Sequence, residues 1–98
     1  MNIDLLELYD AIEQDNGAKI WAILSKYKHG NIHELSTKNL CGLIILAAEQ
    51  GAVKATKEFH KFNSIVQDKD ISKHLEIANR IHNHKVDEYK VVRSGLIH

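Results

Sequence analysis

The stretch LCGLIILAAEQGAVKATKEFHKF, Leu40 to Phe62, is the most strongly patterned part of the chain. An apolar run, Leu43 to Leu46, leads into Ala47-Ala48, then two polar residues and Gly51. After Gly51 a new helical period opens with Val53, Ala55, Thr56, Phe59 and Phe62. The pattern predicts two helices meeting at a glycine. Gly51 can end the first in a left-handed conformation without a Cβ clash. The small Ala47-Ala48 pair lets the two helices approach closely. Leu46 and Phe59 are the expected core of this hairpin.

Working outward, Asp4 to Gln14 carries Leu5, Leu6, Leu8, Tyr9 and Ile12 at helical spacing. Asn2 or Asp4 is the candidate cap, and Asp15-Asn16-Gly17 is the break. A second helix is expected from Ala18 to about Lys28, with Ile20, Trp21, Ile23, Leu24 and Tyr27 inward. Gly30-Asn31 signals a turn, and Ser36 or Thr37 caps the third helix. After Phe62, the polar segment from Asn63 to Asp70 reads as a loop. Asp70 or Ser72 would cap a fifth helix, with Ile71, Leu75, Ile77, Ala78 and Ile81 inward and a stop at Asn83. A sixth, about Lys85 to Arg93, carries Val86, Tyr89 and Val92. The expected fold is therefore all-α, one domain over residues 1–98, with about six short helices in three stacked hairpins and no sheet.

Composition agrees. The 98 residues contain no proline and five glycines, and no long run alternates apolar with polar residues. Thirteen basic and thirteen acidic residues give a formal net charge of zero, so no basic face is evident for a nucleic acid. A single cysteine, Cys41, excludes an internal disulfide and fits a reducing compartment. Neither a membrane span nor a leader-like start is visible, so a cytoplasmic location is expected.

Aligning Ala11, Ala47 and Ala78 gives spacings of 36 and 31 residues (47 − 11 and 78 − 47), close to a helical-hairpin repeat of about 33. The segment LIILAAEQGAVKATKEF resembles the two-helix core of an ankyrin repeat, through Leu46, Ala47, Ala48, Gly51, Ala55 and Phe59. LEIANRIHNHKVDEYKVV and LYDAIEQDNGAKIWAIL are weaker echoes. The family's Thr-Pro-Leu-His entry is absent: Gly42-Leu43-Ile44-Ile45 and Lys73-His74-Leu75-Glu76 stand in its place. The resemblance implies a protein-binding module that works through loop tips and the exposed side of each unit's first helix. It points to Asn31, His33, Glu34 and Asp68 in loops, and to Glu13, Gln14, Glu49, Gln50 and Arg80 on helices. Glu13, Glu49 and Arg80 hold related places in successive units, and the acids favour a partner with a basic surface. An inhibitor, adaptor or immunity-type regulator, monomeric or homodimeric, is the expectation.

No enzyme is expected. Of seven histidines, His29 and His33 flank Gly30-Asn31, and His82 and His84 lie two apart in an expected turn. Neither pair resembles a four-ligand zinc site, and no metal or other cofactor is expected. Cys41, beside Leu40 and Leu43, reads as a buried thiol. The alternative is a DNA-binding helix-turn-helix regulator. Ala47 and Gly51 have the spacing of such a turn, and Lys54, Lys57 and Lys61 share one face of the next helix. Against it stand the neutral total charge, the lack of arginine in that helix, and Glu58 among the lysines.

Overall fold

The computed structural model describes the backbone of residues 3–97 and the side chains of residues 3–84. Among them are five α-helices: α1 (Ile3–Glu13), α2 (Gly17–Leu24), α3 (Thr37–Glu49), α4 (Val53–Val66) and α5 (Lys69–Ile97). Two 3-10 turns, Ser25–Tyr27 and Ile32–Leu35, lie between α2 and α3. No strand occurs among the described residues. The fold is all-α.

The helices form two layers. In one, α3 packs between α1 and α5; in the other, α2 packs on α4, and each hairpin joins the layers. Between them lies a continuous core that includes Leu8, Ile12, Ile20, Leu24, Leu40, Ile44, Phe59, Phe62, Ile71 and Leu75. The three aligned alanines, Ala11, Ala47 and Ala78, are each 0% exposed. They occupy successive helices of one layer, where a larger side chain would hold the neighbours apart.

The two hairpin turns are built alike, 36 residues apart. In the first, Asn16 N–H donates to Ala11 C=O at 2.8 Å and Asp15 N–H to Ile12 C=O at 2.9 Å. In the second, Ala52 N–H donates to Ala47 C=O at 2.9 Å and Gly51 N–H to Ala48 C=O at 3.1 Å. This crossed pair is the Schellman ending, which satisfies the last carbonyls of a helix and needs one left-handed residue. Gly51 takes that position at φ 70°, as expected from the sequence, and Asp15 takes it at φ 49°.

The starts of the outer helices differ. Asn16 caps α2 through its own side chain, accepting from Lys19 N–H at 3.2 Å. At α4 the matching residue is Ala52, which has no side-chain oxygen to offer. Asp15 fills the role from the preceding hairpin: its Oδ1 accepts from Ala55 N–H at 2.9 Å. One residue thus ends α1 with its left-handed backbone and caps α4 with its side chain.

Several sequence expectations change. The third hairpin is not formed, because α5 runs through Asn83 to Ile97 and the separate sixth helix merges with the fifth. Neither Gly nor Pro interrupts residues 82–84, and a lone Asn costs a helix only a few tenths of a kcal/mol. The directions of Val86, Tyr89 and Val92 lie outside the described side chains, and Asn2 lies outside the described residues. The expected loop from Asn63 to Asp70 shrinks to Gln67-Asp68, since Val66 packs on the core and extends α4. Asp68, rather than Asp70 or Ser72, caps α5, accepting from Ile71 N–H at 3.0 Å. Asp4 is not a cap but sits in the first turn of α1, while Ser36 caps α3 as one of two candidates did. Leu46 is only half-buried; the large side chain fully enclosed on that turn of α3 is Ile44.

Candidate interaction face

The exposed side of the α1–α3–α5 layer carries the strongest signal of use. Of the apolar side chains that α1 carries at helical spacing, Leu6 is 52% and Tyr9 45% exposed, and Ile3, at the start of the helix, is 68% exposed. They stand at i, i+3 and i+6, so they form one ridge along α1. Opposite the ridge, α3 presents Asn39 and half-buried Leu43, and the two helices enclose a groove of about 320 Å³ floored by Leu5, Leu6, Tyr9 and Leu43. On the other side of α3, Cys41, Gly42 and Ile45 line a second depression against Asp70 and His74 of α5. Gly42 is exposed with open space above it, so the centre of the face is shallow.

The Tyr9 end of the groove is acidic, with Glu13 and Asp10 close to the phenol. Helix α1 holds Asp4, Glu7, Asp10 and Glu13 and no basic residue. Gln50 donates an Nε2–H to Glu13 Oε1 at 2.7 Å, tying the C-terminal ends of α1 and α3 together. The Glu13 carboxylate, with a smaller contribution from Asp10, also raises the pKa of the Tyr9 phenol above its ordinary value. Asp4 is engaged elsewhere: it accepts from Tyr27 Oη and pairs with Lys26 at 3.3 Å, locking α1 to the 3-10 turn that follows α2.

The nine residues indicated by the sequence separate into two groups. Glu13, Gln14, Glu49 and Gln50 cluster, all exposed, where α1 and α3 end. Glu13, Glu49 and Arg80 each stand two residues beyond a buried alanine, and all three are exposed. The loop residues lie at the opposite end and are partly structural. Asn31 is half-buried, and its Nδ2 donates to Lys26 C=O at 3.0 Å and reaches Glu34 Oε2 at 3.5 Å. Asp68 is occupied as the α5 cap, and its backbone N–H donates to Asn63 Oδ1 at 3.0 Å. His33 is exposed. Sequence reasoning missed Ile3, Leu6, Tyr9 and Leu43. The available signal was width: apolar residues on α1 cover more of its circumference than one buried stripe requires.

Cys41 is buried at 4% exposure, and burial, with smaller contributions from Asp70 and Asp68, raises its thiol pKa. Among the described residues, no three His, Cys, Asp or Glu side chains converge as metal ligands would, and no helix is long and apolar enough to cross a membrane.

No protein-family model matches the sequence, and no curated protein or solved structure matches it.

Proposed function

We propose that this chain is a small protein–protein interaction module, built from degenerate ankyrin-like hairpins, that engages its partner through the exposed face of α1 and α3. It acts as an inhibitor, adaptor or immunity-type regulator by occluding a larger protein. The observation that carries this reading is the row of exposed apolar side chains, Ile3, Leu6 and Tyr9, beside a groove. Contiguous apolar surface on a small soluble domain is costly to leave in water and marks a contact site. Glu13 and Asp10 of α1 stand beside Tyr9 at that groove, so a partner with a basic surface fits it best. The buried alanines at related positions and the repeated turns support the ankyrin-like reading of the hairpins.

The test uses a captured partner and two variants. Leu6→Ser with Tyr9→Ser removes the ridge from exposed positions, so helicity should persist while the partner is lost. Glu13→Lys with Glu49→Lys should slow association and change its salt dependence. Full retention of the partner by the serine double variant would exclude this face.

A further inference from the structure

We propose that the opposite face of the molecule, made by α2 and α4, is a second binding surface that takes single-stranded nucleic acid. This inference stands apart from the reading above. The net charge of zero conceals segregation. Helix α1 carries four acids and no base, whereas residues 16–30 carry Lys19, Lys26 and Lys28 and no acid. Helix α4 adds Lys54, Lys57 and Lys61, all exposed. Among the described residues, Lys28, Lys54, Lys57 and Lys61 have no carboxylate at ion-pair distance; the pair formed in this part of the chain is Lys26 with Asp4.

The two carboxylates nearest these lysines, Asp15 and Glu58, are both half-buried. Asp15 spends an oxygen on the α4 cap. Glu58 stands among the lysines as the sequence implied, lining one depression with Asp15, Lys54 and Lys57, but it is half-buried, with one oxygen shut off from solvent and its side chain against Gly17. Lys19, Lys28, Lys54, Lys57 and Lys61 outnumber these two carboxylates, so the face is positive on balance, and such a field attracts a polyanion.

Trp21 decides which polyanion. It is half-buried between α2 and α4, with the Lys61 ammonium 4.0 Å and the Lys28 ammonium 5.8 Å from its ring centroid. An aromatic ring among lysines is of no use against the backbone of a duplex. It suits a single strand, whose free bases stack on aromatic rings while lysines hold the phosphates. On binding, Lys61 moves its charge from the ring to a phosphate and a base takes its place.

The experiment titrates the full chain into fluorescein-labelled oligothymidylate at low salt, following anisotropy and the emission of the single tryptophan. Saturable binding with a change in Trp21 emission is expected. Four lysine contacts give a slope of log affinity against log salt of about −3. Lys54→Glu with Lys57→Glu, both exposed, should weaken binding at least about tenfold and flatten the slope by about 1.4. Trp21→Leu should weaken it about fivefold or more. Circular dichroism checks that each variant is folded, and a misfolded Trp21→Leu is replaced by Trp21→Phe, which should retain most of the binding. Three results would overturn the proposal: no binding at low salt, full binding by the lysine variant, or an unlabelled polyglutamate peptide competing as well as oligothymidylate, which assigns the face to an acidic protein. Tighter binding of a duplex than of the single strand, with no response at Trp21, would also overturn it.

Discussion

Replacing Asp15 by alanine should be far more damaging than its place in a surface turn implies. The side chain supplies the cap of a helix that begins 38 residues later, through the 2.9 Å bond from Ala55 N–H to Asp15 Oδ1. Losing a cap costs about 1 kcal/mol, and losing a carboxylate at a helix N-terminus about 0.3–1 kcal/mol more. Alanine also tolerates the left-handed backbone at φ 49° less well than aspartate does. Asp15→Ala should therefore cost about 2 kcal/mol, which lowers the melting midpoint of a domain this size by about 8–16 °C. Asp15→Asn keeps an acceptor oxygen and tolerates the same backbone, so about 0.5 kcal/mol is expected. Asp15→Gly loses the cap but relieves the backbone and should fall between them. The decisive measurement is a double-mutant cycle with Ala52→Ser, which gives α4 a cap of its own. The serine should stabilise the Asp15→Ala protein by about 1 kcal/mol more than it stabilises the wild type. Equal effects in the two backgrounds, or an unchanged melting midpoint for Asp15→Ala, would refute the inter-hairpin cap.

Phe59→Ala should cost about 3–5 kcal/mol, whereas Leu46→Ala, at a half-buried site, should cost less than about 2 kcal/mol; chemical denaturation measures both. Gly51→Val should destabilise by at least about 1–2 kcal/mol through backbone strain alone, since no atom lies within 4 Å of where its Cβ would go; a midpoint equal to wild type would contradict the left-handed assignment. Cys41 should be alkylated slowly in the native protein and rapidly in denaturant. Because burial raises its pKa, the unfolded thiol gives up its proton first, and stability should decline as pH rises past about 8.5 towards the folded value.

What the sequence revealed follows the range of each interaction. The end of α3 at Gly51, the small pair Ala47-Ala48 and the Ser36 cap are local signals, and each was legible. The continuity of α5 was not, because Asn83 is a weak breaker whose effect depends on what the helix packs against. Which side of α1 faces inward was ambiguous with apolar residues at 3, 5, 6, 8, 9 and 12, and only the position of α3 resolves it. The Asp15 cap joins residues 40 apart and leaves no local trace. Among the candidate site residues, helix ends were visible from spacing. The structural duties of Asn31 and Asp68 were not, since a polar loop residue has the same sequence signature whether it contacts a partner or its own backbone.

Among the described residues, the acids of α1 and the lysines of α2 and α4 stand in opposite layers, so these two faces differ in sign. On a chromatography column it should adhere at low salt to both cationic and anionic resins near neutral pH, each resin gripping a different side. In the crowd of other macromolecules it would turn before it touches, presenting α1 to positive surfaces and α4 to negative ones. Orientation would thus be selected at a distance of about a Debye length, roughly 8 Å at physiological salt, before shape begins to matter.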